Sequence, residues 1–568
     1  MSLKIHTQPF AGLLLLAAGL GLAACGDATQ EAATDDAAVS KSDPLAVIDA
    51  ADLEQHVKVL SSDEFGGREP ASEGETLTIE YLRDGFAELG VEPGNGDSWF
   101  QEVPLVAITG KPEPLAIRGD NVELDLDVPT QAVTWTKRVT EEVSLDASDL
   151  VYVGYGVVAP EYGWNDYAGL DVEGKTVVML VNDPGYALAE TERGELFNGR
   201  TMTYYGRWTY KFEEAARQGA AGAIVIHETG PAGYPWEVVS GSWTGPQFDL
   251  VSENRNMDRA VMEGWITQDV ADQLFGAIGE NYESLRDAAS QPDFQAIPLN
   301  ATASTRIENT IRESTSRNVV ARIPGSTRPD ETIIYTAHWD HLGADPEAEG
   351  DGIFNGAVDN ATGTGGLIEI AEAFMAAEQR PERSIVFLAV TAEESGLLGS
   401  RWYAEHPIYP LAQTVGVINM DSMNVYGPTS DVVVTGKGNS EMEDYLAKAA
   451  AMDDRVLVGE EHPERGYFYR SDHFNFAKKG VPALYAESGS SFIGPDAEAA
   501  AAYAEAYTAE RYHKPADEYE EWFDFSGAIQ DLRMYYRVGE MLANSEDWPE
   551  WAEGNEFKAA REASRSAD

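Results

Sequence analysis

Only one of the 568 residues, Cys25, is a cysteine. No disulfide can close within the chain, and a mature fold that starts at this residue has no candidate for thiol catalysis. Positive charge is scarce too: 40 lysines and arginines stand against 97 acids, for a formal net charge of −57 at pH 7. A field of that sign repels nucleic acid and anionic lipid and favours solubility, so nucleic-acid binding is excluded while no substrate is implied. After the first 25 residues no apolar run reaches the length of a membrane span, so no transmembrane helix is expected in the mature chain. There is no internal repeat, no P-loop and no dinucleotide fingerprint. The "GTGG" at 363–366 lies inside a helical pattern, where glycines serve close backbone packing rather than phosphate binding. Apolar residues, at 43%, are plentiful enough to exclude wholesale disorder, and the length allows two or more domains with sizeable cores.

The first residues, "MSLKIHTQPFAGLLLLAAGLGLAACGDATQ", combine a basic start at Lys4 with an apolar or small run over 11–24. That run is short for a membrane span and right for an export signal. Leu22, Ala23, Ala24 and Cys25 resemble the lipobox of bacterial lipoproteins. The resemblance implies that residues 1–25 are a lipoprotein signal and that Cys25 carries the lipid. The mature chain would then be anchored to a bacterial membrane, periplasmic or at the cell surface. Residues 26–44 are small, acidic and aperiodic, as a tether would be.

Helical patterns flank a Gly-rich turn holding Arg68, and strand patterns follow; 45–139 reads as the N-terminal part of a larger domain. Short β-type runs such as "DLVYVGYGVV" and "GAAGAIVI" make 140–295 a β-rich insertion. From 296 to 545 near-continuous apolar strands, "TIIYTAHWD", "SIVFLAVTAEE", "TVGVINMDS" and "VPALYAES", alternate with helical patterns such as "GTGGLIEIAEAFMAAEQ". That alternation predicts an α/β fold with a mainly parallel sheet flanked by helices. Residues 546–568 read as a charged tail.

Chemistry-bearing residues collect at the carboxyl ends of the predicted strands, where ligands of such sheets bind. Adjacent acids prove little alone, since this many carboxylates produce on the order of 16 such pairs by chance. Context sharpens Glu393 and Glu394 in "TAEESGLLGS": His338 and Asp340 lie in "AHWDHLG", Asp359 in "NGAVDNATG" and Asp421 in "NMDS". His338 and Asp340, two apart on a strand end, point the same way, and a carboxylate behind an imidazole makes it a better metal ligand.

These segments, with "YFYRSDHFNFAKKGVPAL" and "RYHKPADEY" following in order, resemble the M28 family of zinc metallopeptidases. "LSSDEFGGREP" resembles the opening of its secreted members, and "DYAGLDVEGKTVVML" resembles a protease-associated domain. The resemblance implies two zinc ions, one held by His338, Asp359 and Asp421 and the other by Asp359, Glu394 and His513. Asp359 would bridge them. It further implies that Glu393 is the general base, Asp340 the partner of His338, and Tyr512 a donor to the tetrahedral intermediate. A cis Asp359–Asn360 bond would occur at the matching position. Arg470 and His473 are assigned to the substrate pocket rather than to a metal; His227, His341, His406 and His462 are read as structural, supporting or exposed. The function so implied is an aminopeptidase acting on peptides with a free N-terminus. The alternatives are a carboxypeptidase or dipeptidase, which needs an Arg or Lys for a terminal carboxylate, a one-zinc glutaminyl cyclase, and a non-catalytic peptide-binding or receptor-like protein.

Overall fold

The computed structural model describes residues 43–243 and 245–566. The export signal, Cys25 and all but the last two residues of the tether lie outside them. Among the described residues no helix is long and apolar enough to cross a membrane.

Strand Arg383–Val390 is buried at every position, and its apolar run over 385–390 is that of a strand covered on both faces. It runs parallel to Arg328–His338, which pairs in parallel with Thr414–Asn419, which in turn pairs in parallel with Ala483–Ser488. Asp431–Val434 extends this order antiparallel to Ala483–Ser488, and Val319 to Ile323 close the other side antiparallel to Arg383–Val390. The fold is therefore α/β, a mainly parallel mixed sheet flanked by helices.

Period-two alternation sorts the strand residues between two cores. Ile333, Tyr335, Ile385 and Phe387 pack with helices Ala50–Leu60, Glu73–Glu88, Gly363–Ala376 and Ser526–Ala543 through Leu53, Phe86, Leu367 and Leu532. Ile334, Val386, Leu388 and Val417 meet Tyr403 and Phe476 on the opposite face. Each such fully buried side chain contributes about 2 kcal/mol. The sequence around residues 45–91 thus completes the main core, although it lies far from it in the chain.

Strand Ile297–Ile323 connects this sheet to a second β-rich unit. Its first residues pair with Glu142–Tyr152, its middle with Phe100–Pro112, and its last with the main sheet. In the second unit, Thr176–Leu180, Gly222–His227 and Met262–Thr267 form a parallel trio, and helices Trp208–Arg217 and Gln268–Ala277 bury Phe212, Leu274 and Phe275 against it. The boundaries expected at 140 and 295 shift accordingly. Leu115, Ile117, Leu126 and Ala132 on one side, and Leu299 and Ile307 on the other, belong to the second core. A continuous ladder, rather than a change of composition, decides where the unit ends.

The tail also departs from the sequence expectation. Trp551 and Arg561 are 2% and 1% exposed; Trp551 Nε1 donates to the Gly480 carbonyl at 2.8 Å, and Arg561 Nη2 to the Thr414 carbonyl at 2.9 Å. Charge density hides this docking, because Arg561 is buried by the carbonyls it satisfies.

One buried acid gives this core a pH signature. Glu369, on helix Gly363–Ala376, is 1% exposed in its side chain; Oε2 accepts from the Asp49 N–H at 3.0 Å, and Oε1 has no hydrogen-bond partner. Burial, outweighing that N–H and aided by Glu372, Asp52 and Asp49, pushes the carboxyl from 4.5 up to about 8. Burial also lowers the neighbouring His56, so no full ion pair offsets the effect. In the unfolded chain this acid ionises near its ordinary value. Its contribution is therefore fully present below pH 4.5 and lost as the pH rises through about 8. Glu369→Gln is expected to raise the Tm by several degrees above pH 8 and to leave it unchanged below pH 4.5. Thermal melts across that range would reject the assignment if the difference did not vary with pH.

Candidate metal centre

The strand ends deliver the charged groups that the sequence places there. His338 is the last residue of Arg328–His338, Glu393 and Glu394 follow Val390, and Asp421 follows Thr414–Asn419. Asp359 sits just before helix Gly363–Ala376, and the Asp359–Asn360 peptide bond is cis. His513 arrives from the loop after helix Ala497–Glu510.

These groups converge. His338 Nε2 lies 3.2 Å from Asp359 Oδ1 and 3.3 Å from Asp421 Oδ1. His513 Nε2 lies 3.4 Å from Asp359 Oδ2 and 3.0 Å from Glu394 Oε2. Asp359 thereby presents one oxygen to each imidazole. Two overlapping sets, His338–Asp359–Glu394 and His338–Glu393–Asp421, have ligand atoms within 4.8 Å of one another. Glu394 Oε1 and His513 Nε2 are buried and make no well-aligned hydrogen bond, although His341 Nδ1 stands 2.6 Å from the first and Glu394 Oε2 3.0 Å from the second. Orphaned donor atoms among clustered carboxylates are what a site for cations leaves when only its protein atoms are counted, and an imidazole–carboxylate set suits zinc.

Several of these groups are held from behind. His338 Nδ1 lies 3.1 Å from the main-chain carbonyl of Asp340, which can only accept, so Nδ1 carries the hydrogen and Nε2 faces the carboxylates. The Asp340 side chain does something other than expected. Its Oδ1 stands 3.9 Å from His338 Nδ1 and accepts from the Glu393 N–H at 3.1 Å, because the chain turns after His338 and carries the carboxylate toward the glutamates. Asp340 therefore positions both the imidazole and the Glu393 backbone. Asp517 accepts from the N–H groups of Val358 and Asp359, both at 3.1 Å. Asn360 donates to the Met420 carbonyl at 3.0 Å and accepts from the Ser422 N–H at 3.1 Å, tying the Asp359 segment to the Asp421 loop. Ser471 Oγ donates to Asp421 Oδ2 at 2.6 Å.

Arg68 serves the site from outside the strand ends. It is fully buried and donates to the carbonyls of Trp339, Leu60, Asn355 and Gly356 at 2.5 to 2.9 Å. Burial lowers its pKa to about 10, against the pull of Asp517, Asp359, Asp340 and Glu394. The Gly-rich turn before it is required sterically: Gly67 has φ of +70°, and a Cβ there would sit on the Gly343 carbonyl. The sequence shows the glycines and Arg68 but not the loop they grip.

Electrostatics separates the two glutamates. Burial favours the protonated form of both. For Glu394, His513 and His341 more than offset it and hold the carboxyl at about 2. For Glu393, burial wins over His338 and is reinforced by Asp421 and Glu394, so its pKa lies well above 4.5. One is a permanent anion facing imidazoles, and the other is poised to take up a proton.

The remaining predicted residues divide. Tyr512 stacks on His513 with ring centroids 3.8 Å apart and is 42% exposed, so it borders the site. His473 does not line an open pocket. It is fully buried, its ring 4.6 Å from Phe468 and 4.8 Å from Tyr485, and burial lowers its pKa to about 3. As the first residue of helix His473–Lys478 it is turned into the aromatic packing. Arg470 is directed toward Tyr234 of the β-rich unit, 5.7 Å from its ring. Sequence reasoning missed Asp472, fully buried and raised to about 7 by burial; His341, read as structural, supporting or exposed, stands beside the site with Nδ1 2.6 Å from Glu394 Oε1. The signal for His341 was its place in "AHWDHLG" beside His338.

Residues 318–530 match the model of peptidase family M28. All the converging imidazoles and carboxylates lie within the matched segment. A 154-residue stretch is 32% identical to aminopeptidase NAALADL1 of Mus musculus, covering 26% of this chain and 18% of that protein. A 184-residue stretch is 28% identical to a probable zinc metalloprotease of Pyrenophora teres f. teres (strain 0-1), covering 32% of each chain. The chain thus spans about a third or less of the length of the curated relatives it matches. Among solved structures, the aminopeptidase from Aneurinibacillus sp. strain AM-1 superposes with a TM-score of 0.47 at 18% identity, covering 89% of this chain and 97% of that one.

Proposed function

We propose that this chain is a zinc-dependent aminopeptidase that hydrolyses the first peptide bond of substrates with a free N-terminus. The observation that supports this best is the division of labour around Asp359: its two oxygens face different imidazoles, while Glu393 stands outside that pairing with a raised pKa. His338, Asp359 and Asp421 would hold one zinc, and Asp359, Glu394 and His513 the other. When bound, such a pair polarises a carbonyl and makes water acidic.

The chain's own residues supply the rest. Glu393 takes the proton of the attacking water on a carboxylate oxygen, an uptake that a raised pKa favours, and returns it to the departing amine nitrogen, which is the stronger base. Tyr512 donates its hydroxyl hydrogen to the oxygen of the tetrahedral intermediate. Asp340, by fixing both the His338 tautomer and the Glu393 backbone, keeps base and ligand in register. A free α-amine directed to the carboxylates places the first carbonyl next to Glu393, and blocking that amine removes the orientation.

The β-rich unit is read as a protease-associated domain that borders the approach to the centre. Export and a lipid anchor at Cys25 would place the activity on periplasmic or surface peptides. Hydrolysis of peptide pairs that differ only in N-acetylation tests the reading. Cleavage of the free-amine member alone, with about two zinc ions per chain by elemental measurement, is expected; equal cleavage of both members rejects it.

A further inference from the structure

One imidazole at the centre belongs to neither zinc set. His341 is 1% exposed, and its Nδ1 stands 2.6 Å from Glu394 Oε1. No other imidazole comes so near a carboxylate among the described residues. Both ring nitrogens are buried without a well-aligned hydrogen bond, an arrangement too costly for a residue that only fills space.

The approach fixes the proton. A nitrogen lone pair and a carboxylate oxygen repel at 2.6 Å, so Nδ1 carries the hydrogen and Glu394 Oε1 is the acceptor, although the N–H lies off the ideal line. His341 also differs from the two ligand imidazoles in what it meets. His338 Nε2 approaches Asp359 and Asp421, and His513 Nε2 approaches Asp359 and Glu394. Among the described residues His341 approaches Glu394 alone, so whatever it does to a cation it does through that carboxylate.

Glu394 is thereby divided between two rings. Oε1 meets His341, while Oε2 lies 3.0 Å from His513 Nε2; the ring centroids stand 5.9 Å apart. His341 is in turn fixed by the buried Arg68 turn. Its main-chain N–H donates to the Arg68 carbonyl at 3.3 Å. Gly356 makes room for both side chains, because a Cβ there would come within 2.7 Å of His341 Cδ2 and of Arg68 Nη2.

We propose that His341 is a positioning residue for Glu394: its Nδ1–H ties down Oε1 and so leaves Oε2 as the oxygen that Glu394 offers to zinc. The proposal rests on the reading of Glu394 as a ligand, and it gives His341 no contact with substrate or reacting atoms. A carboxylate held at one oxygen binds a cation with less loss of side-chain freedom, which is how groups behind a ligand raise its affinity.

The test reads zinc rather than turnover. Full-length protein, stripped and reloaded, is titrated with zinc against a chromophoric chelator, which gives the affinity of each ion. The amide nitrogen of His341→Asn falls near the place of Nδ1, whereas that of His341→Gln falls near Nε2. His341→Gln is expected to weaken one ion by on the order of 10- to 100-fold and to leave the other unchanged, and His341→Asn to regain most of the loss. His341→Ala, which removes the donor without adding bulk, is a second variant and should match His341→Gln. A fraction of unfolded chain lowers both ions alike and does not imitate the loss of one. In a Glu394→Ala background His341→Gln should cost nothing further, because the carboxylate it acts through is gone. Equal weakening of both ions, unchanged affinities in the Gln and Ala variants, no recovery in His341→Asn, or losses that add to those of Glu394→Ala overturns the proposal. Wild-type protein that binds no zinc overturns the reading of the centre as well, so the two failures are told apart before any variant is made.

Discussion

Glu393→Gln is expected to keep its full zinc content and to lower kcat by on the order of 10²- to 10⁴-fold, with KM little changed. Gln preserves the shape and the backbone N–H donated to Asp340 Oδ1, so the turn at 393 has no reason to move. What disappears is the ability to take a proton. In the wild-type chain, burial beside Asp421 and Glu394 holds the Glu393 carboxyl well above its ordinary range. An amide has no such site at any pH, so the loss should persist across the pH profile. Stopped assays paired with elemental zinc measurement check this; a fully active Glu393→Gln would mean that the proton moves through another group, with buried Asp472 the first to examine.

Asp359→Ala is expected to have the larger effect on metal. The side chain reaches both His338 Nε2 and His513 Nε2, and its loss removes an oxygen from each of the two ligand groups. Zinc content should fall from near two per chain to well below one, with activity at background. Glu394→Gln, at a carboxylate 3.0 Å from His513 Nε2, should weaken only one ion. The two variants therefore differ in stoichiometry as well as rate. Equal zinc loss in both, after dialysis against the same buffer, would contradict a bridging role for Asp359.

The strand-end residues were legible because their signals are local. An apolar strand followed by an acid or a histidine announces a group at the carboxyl edge of a parallel sheet, and His338, Asp421, Glu393 and Glu394 carry that signal. Asp517, Arg68 and Asp472 do not. Their importance comes from partners far away in the chain: Asp517 from the N–H groups of Val358 and Asp359, and Arg68 from carbonyls contributed by Leu60, Trp339, Asn355 and Gly356. Trp551 and Arg561 were hidden for the same reason, since only packing against Gly480 and Thr414 turns a charged tail into a buried one.

By itself the sequence determined the α/β class, the order of the motif segments and the residue types that gather at the strand ends, because hydrophobic periodicity and strand-end chemistry are properties of neighbours in the chain. Only the tertiary structure decided that the Asp340 carboxylate accepts from the Glu393 N–H while standing 3.9 Å from His338 Nδ1, and that His473 faces inward. Those outcomes depend on directions and on meetings between distant segments, which buried hydrogen bonds and charges select once the chain is folded.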